Sequence, residues 1–539
     1  MNDRKKARPS AAGTAKEPTA KLAGKAPGAK PAPKAAGVKA ATTRARAAGK
    51  PAAAMAPEPP HTPPLEAVRY RSVALGGLGH STAVEARSMA WFRDRLYVGT
   101  ATSVPTGPAD RARIIAHDPA ATGTGQWKTV YESPVISPGG QDMARLARLN
   151  PAAGSQGRRL VQATASQQVA RDFAITAVQV FQGASDRAPC LYCGTSSLGG
   201  GLILRSEDGA EFEAVTLPGI DDGNQMSFAA MAEFDGRLVV APMGTLSAHR
   251  AAHHQAPAPV LYASADPDLG DWQRIAPPQF AATGAAAEAV SGVFSLAVFG
   301  GHLYAGLGNP LAGFSLWRVA PGGLTAEGAA WEMVLQRGAW RFNHNPLPLR
   351  MCVFDGALYL GTGIQGLGRD EQNDVGPCAA ELIRVNSDGT WDLIMGEPRF
   401  TPDGMKVPLS AKAPGFSDGC NGAILSMAVL EGTLFVGTGN WRSLAMAGSR
   451  ASEPIRGGFE LWASADGTTW SRVLQGGRGK PASTGAASLC ATPAGLYVGI
   501  ENQAGAILKM IPDHRGLARL TGDMTEGFEV LLAGWQAPG

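Results

Sequence analysis

A short hydrophobic-Tyr-x-Gly stretch recurs along this chain, and it limits the possible folds more than any other feature. It reads RLYVGT at 95–100, CLYCGT at 190–195, RLVVAP at 237–242, HLYAGL at 302–307, ALYLGT at 357–362, TLFVGT at 433–438 and GLYVGI at 495–500. Each copy follows an apolar segment that ends in a turn, such as MAWFRD, MAEFDG or LAVFGG. Two apolar runs around a Gly- or Asp-containing turn predict a β-hairpin. In most copies an aromatic residue follows some 20 to 35 positions later, with an aliphatic three places on, as in Trp127 and Val130 or Trp470 and Val473. Between the two signals lies a further strand-like run: GLILRS, FSLWRV, AELIRV, FELWAS or AILKM. Each copy therefore predicts strand, tight turn, strand, loop, strand, turn, strand.

One sheet of four strands buries too little to stand alone. Seven such sheets packed face to face around an axis share a continuous core, so the expected fold is all-β, a β-propeller of seven four-stranded blades. The first strand of each copy should line a central channel. Beyond the first interval copies recur about every 50 to 75 residues, longer than a minimal blade, so the excess should be loops. The largest insertion spans 133–170; HRAAHHQAPAP (249–259) and RDEQNDVGPCAA (369–380) are smaller. A ring of six or eight blades stays open. So does closure: RYRSVAL (69–75) and the 527–533 stretch both compete for the last sheet.

Charge divides the chain. Residues 1–65 carry 13 Lys and Arg against 3 Asp and Glu, out of 49 and 45 in the whole chain, which leaves 36 against 42 beyond them. This tail is mostly Ala, Pro, Lys, Gly and Thr and cannot bury enough apolar surface to offset ordering entropy. It is expected to be a disordered tether, with residues 66–539 as the propeller. Its spread lysines and prolines resemble linker-histone-like tails, which implies a possible polyanion partner such as nucleic acid. No apolar run approaches the roughly 20 residues of a membrane helix. The start, MNDRKKARPS, lacks an apolar segment behind it, so a cytoplasmic location and reduced thiols are expected for the 6 cysteines.

The turns carry a second pattern: LILRSEDGAEF (202–212), LIRVNSDGTW (382–391) and LWASADGTTW (461–470), with a degraded copy at 261–272. This serine-x-aspartate-glycine…tryptophan cadence resembles the Asp-box turn of propeller repeats. The body from 86 to 533 is similar to bacterial propeller proteins with LYVGT…LWRSxDGxxW repeats. Only 461–470 fits the pattern closely. The resemblance implies a local role, in which Asp208, Asp388 and Asp466 accept backbone N–H bonds across a peripheral turn.

In a propeller the loops leading into the first strands converge on one mouth of the channel, the default ligand site. The polar residues there are Arg87, Arg171, Asp172, Asn224, Gln225, His344, Asn345, Asp418, Cys420 and Asn421. Arginines would suit an anionic group, Asp418 an acid or base, and His344 a proton shuttle. The competing reading is that they cap strand ends and hold channel waters. Other groupings are weaker. His249, His253 and His254 sit in an Ala/Pro-rich insertion, CLYC (190–193) lies in a strand, and Asp266, Asp268 and Asp271 lack the Gly and Glu of a calcium loop. No metal or cofactor is expected.

The main functional expectation is a non-catalytic binding or scaffold propeller, with a protein partner or polar small ligand at the channel mouth. The alternative is a propeller enzyme or lectin acting on a glycan or other polar small molecule. A second alternative is polyanion association through residues 1–65. The chain lacks the Arg-Ile-Pro of sialidases, and Tyr97, Tyr192, Tyr304, Tyr359 and Tyr497 all belong to the repeated strand.

Overall fold

In the computed structural model the strands pair antiparallel in runs of four. It describes residues 68–102, 107–137, 168–197, 199–221, 225–242, 260–275, 290–325, 328–364, 368–371, 373–450, 452–511 and 514–535. All of them belong to one compact unit, Pro60–Gly539. The expectations placed on residues 1–65, on Asn224, on most of the 133–170 insertion and on the histidines at 249–254 fall outside the described residues.

The first run joins Glu85–Phe92, Arg95–Ala101, Arg113–His117 and Trp127–Glu132 in that order. Equivalent runs begin at Asp172–Phe181, Phe228–Phe234, Gly292–Phe299, Leu347–Phe354 and Asn421–Leu430. The last run differs. Its strands Ser483–Thr492, Gly495–Asn502 and Glu529–Trp535 are completed by Val68–Ala74 from the start of the described chain. This decides between the two closing candidates: 529–535 is the third strand and 68–74 the fourth. The AILKM segment, expected as a strand, belongs to the helix Ala504–Met510 instead. Its apolar residues follow a helical period, with Ala504 and Ile507 buried.

Neighbouring runs touch through their first strands. Ser88 Oγ donates to the Ile175 carbonyl (2.8 Å), Thr176 to Phe228 (2.6 Å), Ser295 to Pro348 (2.7 Å), Ser426 to Ala486 (2.6 Å) and Ser488 back to Ala86 (2.6 Å). At the same register position Arg350 uses Nε to reach the Leu425 carbonyl at 2.7 Å. Hydrogen-bonded strand contact between runs is confined to single residue pairs, such as Ala101 with Ala174 and Gly439 with Gly485.

This packing accounts for the Gly of the repeated motif. A Cβ on Gly99 would lie 2.4 Å from Ser88 Oγ and 2.7 Å from Ile175; one on Gly437 would lie 2.5 Å from Ser426 Oγ and 2.7 Å from Ala486. The next sheet comes too close for any side chain there. The threonine that follows is also explained. Thr100, Thr195, Thr362 and Thr438 accept backbone N–H bonds from Arg113, Leu202, Glu381 and Glu460, at 2.9 to 3.0 Å. The aliphatic and tyrosine residues of the motif fill the cores between sheets.

The Asp-Gly turns bridge the third and fourth strands. Asp466 Oδ1 accepts the N–H groups of Thr468 (2.7 Å) and Thr469 (2.6 Å), and Asp208 Oδ1 those of Ala210 (2.8 Å) and Glu211 (3.1 Å). Gly467 has φ +72° and faces the Tyr359 hydroxyl of the preceding run, where a Cβ would lie 1.8 Å from the oxygen.

Candidate functional site

The first strands are bulged, and the bulges build a cavity. In all seven of them the register skips a residue, and five of the skipped residues are Arg87, Ala229, Phe294, Leu349 and Leu425, each lying between two paired neighbours. A bulge breaks the in–out alternation and re-aims a side chain. All five residues line one cavity of about 350 Å³. Four present apolar or small groups, and Arg87 is the charged one.

The remaining polar wall comes from strand ends. Glu85 opens one first strand, and Glu501 lies one residue before the end of the second strand of the last run. They are Cα partners across the junction between the first and last runs, and both line the cavity. Arg87 Nη1 donates to Glu85 Oε1 at 2.9 Å. Gln503 Nε2 donates to Glu501 Oε1, and Thr484 stands beside the same carboxyl group. Arg350 completes the charged set; its Nη1 reaches the Leu349 carbonyl at 2.9 Å, and no carboxylate among the described residues pairs with it. The rest of the wall is largely apolar and includes Leu347, Ile364 and Leu444.

The electrostatics follow from this enclosure. Burial and the neighbouring Glu85 charge raise the Glu501 carboxyl to about 7, against the partial opposition of Gln503, Arg87 and Thr484. Glu85 in turn holds the Arg87 guanidinium in its charged form more firmly, despite burial. Arg350 is brought down to about 10 by burial and by Arg87, with Glu85 acting the other way. The cavity therefore offers one carboxyl that titrates near neutral pH beside one held against an arginine. Unlike environments of this kind equip one group as proton donor and the other as charge stabiliser.

The residues singled out from sequence distribute as follows. Arg87 lies in the cavity wall. Arg171 and Asp172 are ion-paired with each other, and Asp172 also accepts bonds from Ser133 (3.0 Å) and Thr195 (2.8 Å). Burial raises the Asp172 carboxyl although Arg171 and the hydroxyls oppose it. Gln225 is buried, with its carbonyl bonded to Gly201 N–H. His344 ends a short 3-10 turn, exposed. Asn345 and Asn421 serve matching structural roles. Each donates to a loop carbonyl and to a buried glutamate, Glu381 or Glu460, and each accepts from the motif threonine. Asp418 pairs with Arg442 at 2.7 Å and accepts the Cys420 N–H at 2.9 Å; burial raises the Cys420 thiol. Except for Arg87, none of the described members of the set lines the cavity; Arg171, Asp172, Asn345, Asp418 and Asn421 make the local ties just given.

Glu85, Arg350, Thr484 and Glu501 were missed as individual residues. Two carry a signal in the repeats. Glu501 stands where other copies have Ala101, Ser196, Gly308, Gly363 or Gly439, and Arg350 where others have Ser88, Ser295, Ser426 or Ser488. Among the described residues no group of three or more His, Cys, Asp or Glu is arranged to hold a metal ion, and no helix is long and apolar enough to cross a membrane. Cys190, Cys193, Cys378 and Cys420 are all free thiols.

No family model and no curated protein matches the chain. Solved structures do. One described as puromycin hydrolase is 12% identical with TM-score 0.40, over 80% of this chain and 52% of its own. The Pyrococcus horikoshii acylaminoacyl peptidase is 6% identical with TM-score 0.35, over 78% and 50%. An alpha-L-arabinofuranosidase from Clostridium thermocellum is 12% identical with TM-score 0.27, over 60% and 93%. The chain thus spans about half the length of the first two. These structures bear the names of hydrolases and a peptidase. The non-catalytic scaffold expected from sequence is corrected on the geometry of the site. Its physical weakness was the channel mouth: of the described polar groups taken as a binding rim only Arg87 lines the cavity, which instead brings together Glu85 and Glu501.

Proposed function

We propose that the sheets close as a seven-bladed β-propeller and that its axial cavity is an enzyme site for a small polar molecule. The ring reading is supported by the side-chain hydrogen bonds that cross six of the seven junctions between neighbouring first strands, the one from Ser488 back to Ala86 included, and by the shared last sheet. In the site, Glu501 is the general acid, Glu85 the partner that stabilises developing positive charge, and Arg87 the residue that holds Glu85 in place through their ion pair. The reaction class is acid–base hydrolysis, in which Glu501 protonates the leaving group of the scissile bond, water bonds to the other fragment, and the proton water releases restores Glu501. A glycosidic bond fits this division of labour between two carboxyl groups. The Asp-box-like turns remain peripheral in this scheme and carry no chemistry.

One observation carries the reading: Glu85 and Glu501 meet in one cavity, with one of them raised to about 7. The test is turnover of a panel of nitrophenyl glycosides, esters and amides by the purified chain. At least one class should be hydrolysed, and Glu501→Gln and Glu85→Gln should each lower its kcat about a hundredfold or more without loss of fold. No turnover across the panel, or full activity in both variants, would overturn the assignment.

A further inference from the structure

We propose that the cavity takes a compact molecule bearing a carboxylate, with the anion seated on Arg350 and the apolar body against Leu347, Leu349, Leu425 and Phe294. This rests on the cavity being the ligand site, and it names the substrate class for that site.

Three observations support it. First, Arg350 occupies a register position where Ser88, Ser295, Ser426 and Ser488 otherwise make the contact between sheets. Serine suffices for that bond, so arginine brings a surplus of charge and hydrogen-bond donors. Arg350 spends Nε on Leu425 and Nη1 on Leu349, both backbone carbonyls. A guanidinium carries five N–H donors in a planar fork that matches a carboxylate.

Second, below about pH 7 the charges in the cavity do not balance without a ligand anion. Arg87 is satisfied by Glu85. Arg350 has no ion-pair partner among the described residues, and the other carboxyl of the wall, Glu501, is largely protonated below about pH 7. A partly buried cation without an ion-pair partner carries a desolvation cost, and a bound carboxylate offsets it.

Third, the surroundings of Arg350 are apolar. Leu349 precedes it at the bulge, and Leu347, Leu425 and Phe294 line the same cavity. A volume of about 350 Å³ admits a small molecule and excludes a folded partner or a duplex.

A proton is linked to this binding. The charged groups around Glu501 are Glu85 and Arg87 from one strand and Arg350 from another. An incoming anion repels an ionised Glu501, so binding should draw a proton onto it. Affinity for an anion should fall as pH rises through about 7, and affinity for a neutral analogue should stay flat.

The test uses phenylacetate and its neutral analogue phenylacetamide, titrated calorimetrically into the full chain at pH 6 and pH 8. Phenylacetate should bind about tenfold or more tightly than phenylacetamide at pH 6 and lose that advantage at pH 8. Arg350→Gln should remove the preference, and Arg350→Lys should restore part of it. Equal binding of the two compounds, or no binding of phenylacetate by the folded wild type, overturns the proposal. The wild-type comparison decides the matter even if Arg350→Gln fails to fold. If phenylacetamide binds as well as phenylacetate while Glu501→Gln still abolishes hydrolysis, the anion assignment fails alone. If phenylacetate binds as expected but no bond in the panel is cleaved, the enzymatic reading fails alone.

Discussion

Glu501 shows at the scale of one residue how stability and chemistry pull against each other. Its carboxyl is raised by burial and by Glu85, so the unfolded chain ionises near the ordinary 4.5 while the folded chain holds the proton to about 7. Stability is therefore lost as pH rises between those values and reaches its lower plateau above them. Glu501→Gln should remove this dependence and be more stable than wild type at pH 8 by about 2–3 kcal/mol, while matching it at pH 4. Urea midpoints at the two pH values check this, and an unchanged pH slope contradicts it. Asp466 has the opposite sign. Burial opposes its charge, yet the N–H groups of Thr469 and Thr468 together hold its carboxyl well below the usual range. Its contribution is present at neutral pH and lost on acidification. Asp466→Ala should cost about 1 kcal/mol at pH 7, and less in acid, by thermal melts at both.

At the scale of the element, the repeated strand is defined by what lies behind it. Gly99 to Ala should force Ser88 and Ile175 apart and cost about 1–3 kcal/mol. Gly419→Ala, where a Cβ meets nothing within 4 Å, should be close to neutral. Equal midpoints for the two variants would show that neighbouring first strands are not in close contact. The bulges explain why the site was harder to read than the strands. A sequence pattern of period two assigns alternate residues to one face, and a bulge breaks that count at the very residues that face the cavity. Arg87 was legible because it is a charged residue at the start of a strand. Leu349 and Phe294 are apolar and carry no signal that marks them out in the sequence, and the helix at 504–510 was mistaken for a strand because a short apolar run fits both periods.

At the scale of the whole molecule, the strand Val68–Ala74 completes the sheet that Ser483–Thr492 begins. Removing residues 1–75 should expose the edge of Glu529–Trp535, strip Val68 and Ala74 from their cores, and destabilise the fold by roughly 5 kcal/mol. Removing residues 1–65 alone should leave the melting temperature unchanged. Calorimetry of both truncations separates the outcomes, and a stable chain lacking 68–74 would contradict a shared last sheet.

By itself, the amino-acid sequence determined the recurring hairpins, the Asp-Gly turns and the β character of the chain. These follow from turn chemistry and short-range alternation, which act over a few residues. Only the tertiary structure decided which strand completes the last sheet, which polar residues tie loops down, and that Glu85 meets Glu501 from the far end of the chain. The physical reason is convergence: packing first strand against first strand brings residues about 400 positions apart into one cavity, and no local pattern encodes that meeting.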